Sequence, residues 1–301
     1  MASQTTISRE CLLSKLSGTG RMPTIPVILL PLLRYMELPI EQLDLQKITD
    51  VISQDNSLVG QCLHMANSPL YGRSQPVDSV KGAVMTLGMA RMREIAVSCS
   101  LMQLLPGKRG AIDPTAFWAH SLGCALVSRY LAQKIKYCDP EKAYLAGLLH
   151  DLGIVANLFV APEEFRIAHA LARQGEVSLY EAEKLTLGFS HCDSGLLLAQ
   201  RWKLPEDLTQ TLGFHHDPHD ASSHQPLVAI VHLADLLCRM RNLGYGFDEH
   251  VEISLVHSSA LEFLIDDCPG IITLDWERFT YELDNYLLEV QRLVSLVYKP
   301  S

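Results

Sequence analysis

The stretch Ala143-Tyr144-Leu145-Ala146-Gly147-Leu148-Leu149-His150-Asp151-Leu152-Gly153-Ile154 decides how this chain is read. It follows Asp139-Pro140, an N-cap residue with proline at the first helical position, so a helix opens there. Ala143, Gly147, His150 and Ile154 fall on one face at spacings of three and four, which aims an imidazole into an apolar interior. Asp151 lies one residue on, at the end of that helix. A buried His-Asp pair needs compensating partners, and the flanking sequence offers several.

Upstream, Asp113-Pro114 opens a helix whose face Phe117, His120, Cys124, Val127, Leu131 is apolar except for His120. Downstream, a helix from Ser190 carries His191, Gly195, Leu198 and Trp202 on one face. A helix starting near Pro226 places Val228, His232 and Asp235 so that at least one polar group is buried, and His215-His216 follow Gly213 on a turn. Each residue alone reads as a hydrogen-bonded core residue or a cap. Burying them together without a cation would cost several kcal/mol per unpaired charge, so a metal is the economical explanation of the group. Imidazole and carboxylate donors from different helices suit iron, manganese or zinc.

The same periodicity runs through the chain, with no clean period-two alternation, so the fold class expected is all-α. Ser178 and Glu181 form a capping box. In the N-terminal part, Leu45, Ile48, Val51 and Ile52 form one helix face, and Leu58, Cys62, Met65 and Ala66 another, stopped by Asn67-Ser68-Pro69. Asp55, His64 and Asn67 sit near helix ends, where capping is their expected role. Met85, Met89 and Met92 read as core filler. Pro106 to Gly110 reads as a linker between two helical lobes, and Asp217 to Gln225 as a loop over the second. Near the C-terminus, Asp275 to Val297 is amphipathic through Phe279, Leu283, Tyr286, Leu287 and Val290.

Composition bounds the alternatives. A chain of 301 residues buries about three quarters of its unfolded surface, and 48% hydrophobic with 20% charged residues is ordinary globular usage. Pro31 and Arg34 interrupt one apolar run and Asn157 another, so no membrane span of roughly 20 residues is expected. Met1 to Glu10 is polar, with no secretory signal visible, and a cytoplasmic location follows. Eight cysteines, at 11, 62, 99, 124, 138, 192, 238 and 268, share no two-residue spacing and read as small buried apolar residues. A net charge of -9 opposes a phosphate backbone, and the one candidate basic patch, Arg91 and Arg93 with Lys108 and Arg109, is thin, so nucleic-acid binding is not expected. Ser121 and Ser128 have no base at a fixed spacing, and neither a serine-hydrolase elbow nor a phosphate-binding glycine loop occurs.

His120, His150-Asp151 in Gly-Leu-Leu-His-Asp-Leu-Gly, and Asp235 in Val-His-Leu-Ala-Asp resemble the His, His-Asp, Asp pattern of the HD superfamily. Four motifs in the first lobe narrow the resemblance: Met22-Pro23-Thr24-Ile25-Pro26, Ile52-Ser53-Gln54-Asp55, Ala66-Asn67-Ser68-Pro69-Leu70-Tyr71-Gly72 and Ala83-Val84-Met85-Thr86-Leu87-Gly88. They are similar to those of the HDOD family, the HD-related output domain of bacterial signalling proteins, over residues 16 to 240. The resemblance implies an N-terminal helical bundle packed against an HD-like metal-site bundle, divided here as 1–108, 109–245 and a helical extension at 246–301. It implies a signalling output that acts on protein partners, with no enzymatic activity generally assigned.

The related HD-GYP phosphodiesterases hydrolyse cyclic di-GMP at a two- or three-metal site, and His191, His215 and His216 resemble their additional ligands. The candidate metal set is therefore His120, His150, Asp151, His191, His215, His216 and Asp235, holding one or two divalent transition-metal ions, iron first and manganese or zinc next. Ala116 replaces a glutamate that some relatives use for a third ion. Ile154 stands where the HD-GYP pattern has lysine, and Asp217-Pro218-His219 replaces Gly-Tyr-Pro, so the resemblance favours a module without phosphodiesterase activity. The alternative is a metal-dependent phosphohydrolase with a nucleotide or phosphate ligand at the metal site.

Overall fold

A computed structural model of the chain describes residues 14, 22–36, 38, 42, 44–71, 76–105, 111–245, 247, 258 and 260–297. Among these residues helices and short turns account for all regular structure, as an all-α reading requires. The Pro106–Gly110 linker, Cys11, Lys108 and Arg109, and much of 246–259 lie outside the described residues.

The first lobe holds α1 (Leu29–Met36), α2 (Leu45–Ser53), α3 (Asn56–Ala66), α4 (Val80–Leu87) and α5 (Met89–Met102). Asp44 and Asp55 cap α2 and α3 by accepting from backbone N–H groups of the first turn. The faces read from sequence are inside, with Ile48, Ile52, Leu58, Cys62, Met65 and Ala66 fully buried. Asn67 does more than end a helix: its amide donates to the Val77 carbonyl at 2.8 Å and accepts from the Val77 N–H at 2.7 Å, pinning the approach to α4. Met85 departs from the core expectation at 72% exposed, because only Val80, Ala83 and Val84 of α4 face inward.

The second lobe is built around α6 (Pro114–Ile135), capped by Asp113 with Pro114 in its first turn. Phe117, His120, Cys124, Val127 and Leu131 are buried, but so are Trp118, Leu122 and Leu126 on other faces. The helix is an axis enclosed by its neighbours rather than a one-sided surface helix. Around it pack α7 (Pro140–Leu149), α13 (Gln225–Arg239) and α15 (Trp276–Val297). The shell is completed by α8 (Leu152–Val160), α9 (Pro162–Ala172), α10 (Leu179–Leu187), α11 (His191–Trp202), α12 (Glu206–Phe214) and α14 (Ala260–Asp267). The 217–225 loop contains one 3-10 turn, Pro218–Asp220.

The decisive stretch is not one helix. His150 ends α7 and Asp151 starts α8, with φ −96° and ψ 10° at the aspartate. The break turns both side chains toward the centre. Together Pro140–Val160 has the length and apolarity of a membrane span, contrary to the expectation of no such run, and 89% of its apolar window is buried inside the protein.

Trp202 Nε1 donates to the Pro23 carbonyl at 3.1 Å, and Arg93 pairs with Glu141 at 2.8 Å, so both contacts tie the first lobe to the second. Arg93 is thereby buried and cannot serve a basic patch. α15 crosses both lobes, touching α6, α3 and the Pro69–Tyr71 turn. Phe279, Leu283, Leu287 and Val290 face inward, while Tyr286 is 42% exposed, correcting its assignment to the apolar face. Among the described cysteines Cys138 is exposed rather than buried, since it lies in the turn that leads into α7.

Two glycines set the closest contacts. A Cβ on Gly147 would lie 2.7 Å from the Cys124 carbonyl oxygen of α6, and one on Gly153 would lie 1.7 Å from the His191 carbonyl oxygen of α11. Backbone cannot yield there as a flexible side chain would. Gly153→Ala is expected to lose at least about 3 kcal/mol of stability, beyond the upper part of the overpacking range, or to fail to fold. Gly60→Ala, in an exposed turn of α3 with nothing within 4 Å, should gain about 0.5–1 kcal/mol. Thermal denaturation of the two variants checks both signs, and an unperturbed Gly153→Ala protein would contradict the close helix approach.

Candidate metal centre

The break between α7 and α8 places Asp151 at the middle of the imidazoles, and its two oxygens face different sets. Oδ2 lies 3.3 Å from His120 Nε2 and 3.2 Å from His150 Nε2. Oδ1 lies 3.4 Å from His191 Nε2 and 3.5 Å from His215 Nε2. Asp235 closes the first set, with Oδ1 at 3.3 Å from His120 Nε2, and His216 Nε2 closes the second at 3.0 Å from His191 Nε2. All seven residues singled out in the sequence are thus brought to one locus. His216 sits at its edge, half-buried and stacked on Tyr180 with ring centroids 4.4 Å apart.

The tautomers follow from the outer partners. Nδ1 of His120 faces the Leu243 carbonyl at 2.7 Å, that of His150 the Gly147 carbonyl at 2.7 Å, and that of His215 the Thr211 carbonyl at 3.2 Å. A ring nitrogen facing a carbonyl can only donate, so each Nε2 presents a lone pair to the centre. His191 does the same through Glu183, whose carboxylate lies 2.6 Å from Nδ1 and also accepts the His191 backbone N–H at 2.7 Å. Asn157 in turn donates to Glu183 at 2.8 Å. His232, whose face was legible in sequence, stays outside the centre and faces the His215 carbonyl through Nδ1 at 2.7 Å.

These residues fit a divalent cation. Donors bonded to one ion at about 2.1 Å lie about 3.0 to 3.4 Å apart in right-angled or tetrahedral arrangements, close to the observed spacings. His150 Nε2, Asp151 Oδ1 and Asp235 Oδ1 are buried and have no hydrogen-bond partner among the described residues. Cys124 and Cys192 also lie within donor range of the two groups, Cys124 Sγ at 3.6 Å from His120 Nε2 and Cys192 Sγ at 3.8 Å from His215 Nδ1. Reading every cysteine as apolar filler missed that.

Burial pulls the His120 imidazole down, but Asp151 and Asp235 outweigh it and hold its pKa well above the histidine range. Burial would raise both aspartates; His150 and His120 keep Asp151 well below the usual carboxylate range, and Arg239 and then His120 do so for Asp235. Burial lowers His150, and burial with the neighbouring His215 and His191 lowers His216. The carboxylates are therefore ionised, with protons on selected imidazoles balancing them. A divalent ion supplies the same compensation and competes with those protons.

Several partners left little trace in the sequence. Glu183 shares its helix face with Leu179, Ala182 and Leu187, all buried, and an acid on an apolar face was the available signal. Tyr245, which donates to Asp151 Oδ2 at 2.7 Å and lies over His120 with centroids 5.0 Å apart, arrives from the chain after α13 and carried none. Arg239, one turn beyond Asp235 on α13, approaches its Oδ2 at 3.4 Å.

The HDOD domain family model matches residues 22–218, and the chain belongs to the HDOD family. An HDOD domain protein of Geobacter sulfurreducens is similar in structure, with a TM-score of 0.81, 29% identity, and 96% of this chain and 98% of that one covered. A protein of Shewanella amazonensis SB2B described as a candidate phosphohydrolase shares the fold, with a TM-score of 0.71 at 22% identity over 94% of this chain and 97% of that one. A protein of Treponema pallidum (strain Nichols) is 27% identical over 224 residues, 72% of this chain, and the chain spans 42% of that protein's length.

Because Glu183 holds the His191 ring by its far nitrogen, Glu183→Gln should weaken binding of a transition metal by about 10- to 100-fold. Titration with a chromogenic competitor reads this directly. A change below about twofold would mean that Glu183 does not orient the ligand.

Proposed function

We propose that this chain is a metal-loaded HDOD signalling module that works through contacts with protein partners in the cytoplasm. His120, His150, Asp151 and Asp235 would hold one divalent ion, and Asp151 with His191, His215 and His216 a second. Iron is the first expectation and manganese or zinc the next, from the imidazole-rich donor set. The observation that carries the reading is the bifacial Asp151, with each oxygen facing its own pair of Nε2 atoms. Asp151→Ala is expected to abolish stoichiometric metal and to lower the thermal midpoint, since the remaining imidazoles would surround an unfilled polar space. Metal analysis of wild type and variant checks it; unchanged content would remove Asp151 from the ligand set.

Burial supports a signalling role over catalysis. His120, His150, Asp151, His191 and His215 are all fully buried, and Tyr245 and the Leu243 carbonyl close the side facing His120. Ile154, where a phosphate-holding lysine would be useful, is itself fully buried. A bound ion would supply a Lewis acid and an activated water there, but a phosphodiester has no open path to it past the ordered Tyr245. Cyclic di-GMP turnover by the metal-loaded chain is expected to stay far below about 1 per second, and turnover at that rate, lost in His150→Ala, would overturn the signalling reading.

A second reading, a metal-dependent phosphohydrolase, is favoured by Arg239, a cation beside Asp235 where the missing lysine's charge could be supplied. Under this reading Tyr245 is a removable cover. Tyr245→Ala should then raise hydrolysis of an activated phosphodiester such as bis(p-nitrophenyl) phosphate by about tenfold or more. Under the signalling reading it should change metal retention without creating turnover.

A further inference from the structure

Two first-lobe motifs, the Asn-Ser-Pro-Leu-Tyr segment and Met-Thr-Leu-Gly, take no part in the metal centre. They meet elsewhere. Pro69, Leu70 and Tyr71 from one, and Thr86 and Leu87 from the other, line one side of a cleft of about 560 Å³. Arg91, Arg129 and Tyr286 line it from α5, α6 and α15. A smaller cavity of about 110 Å³ continues from it, sharing Arg91, Arg129 and Tyr286 and adding Tyr130 and Gln133.

The chemistry of the wall is unusual for a crevice between lobes. Arg91 and Arg129 both bond a single oxygen of Glu94, which is 1% exposed. One carboxylate cannot balance two guanidiniums, and burial pushes its pKa up to about 8 against the pull of Arg91, so the wall carries net positive charge. Each guanidinium has further N–H donors beyond its Glu94 contact. Glu289, the other acid at the cleft, is occupied by Arg292 at 2.7 Å. Tyr71 places a buried hydroxyl there with no hydrogen-bond partner among the described residues, and burial holds that phenol well above its usual range, so it stays a donor. Tyr286, with its ring centroid 5.9 Å from that of Tyr130, leaves a partly open aromatic surface beside the cations.

We propose that this cleft binds a small phosphorylated molecule bearing a planar ring, the chemistry of a nucleotide, with Arg91 and Arg129 on the phosphate and Tyr286 against the ring. Paired guanidiniums suit phosphate oxygens, and a flat ring beside a tyrosine face adds stacking that a bare anion cannot use. The volume lies in the range of small-ligand sites. Because the cleft is walled by both lobes and by α15, its occupancy bears on how those parts are held together. The site is separate from the metal centre and does not depend on the function proposed for it.

The test is calorimetric titration of the full chain with GMP, AMP, ribose 5-phosphate and inorganic phosphate, repeated on Arg91→Gln and Tyr286→Ala. Both side chains are partly exposed at the cleft, and a thermal melt of each variant confirms that it is folded. The expected result is saturable one-to-one binding of GMP or AMP with Kd below about 1 mM, tighter than ribose 5-phosphate or inorganic phosphate. Each substitution should weaken it by about tenfold or more. No saturation by any of the four probes, or affinity unchanged in both folded variants, would overturn the site. Inorganic phosphate binding as tightly as the nucleotides would overturn the assignment of a ring-bearing ligand.

Discussion

Two pairs of helix backbones in this protein come closer than any side chain permits, α7 against α6 at Gly147 and α8 against α11 at Gly153. The residues between those glycines are Leu148 to Leu152, so the His150-Asp151 break is clamped from both sides. His120 comes from the helix that Gly147 touches, and His191 from the helix end that Gly153 touches. Close packing at two points thus converts four separate helices into one donor constellation with little freedom to spread.

The constellation then imposes an electrostatic condition. Asp151 and Asp235 are ionised and buried, and Glu183 behind His191 is fully buried too. Such a cluster is stable only with positive charge at its centre, as protons on imidazoles or as a cation. The outer carbonyls of Leu243, Gly147 and Thr211 settle which nitrogen of each ring faces inward. They lie in an inter-helix turn and at helix ends, where backbone oxygens are free of helical partners.

The C-terminal region joins what the metal centre and the first lobe do separately. Tyr245 closes over Asp151 just after α13, and α15 returns across α6 to the Pro69–Tyr71 turn. Enclosure of the donors and a charged, tyrosine-lined cleft at the lobe junction suit a protein whose states are read by others more than a catalyst that must admit and release substrate.

Much of this was legible in the one-dimensional pattern, because helix caps and three-four spacing are local properties. Asp113-Pro114, Asp139-Pro140 and Ser178 with Glu181 mark helix starts where the structure has them. His120, His150, His191 and Asp235 declared themselves as polar residues on apolar faces. The pattern could not show that α7 ends at His150, because periodicity continues through to Ile154 and only contact with α11 selects the break. Nor could it reveal Glu183, Tyr245, Cys124 and Cys192 as neighbours of the centre, since their role depends on which helices meet. Arg91 and Arg129 likewise converge on Glu94 only through packing of α5 against the second lobe. The sequence by itself determined the helices, their inward faces and the donor types; the tertiary structure decided which donors share a point, because that follows from backbone approach distances that no spacing along the chain encodes.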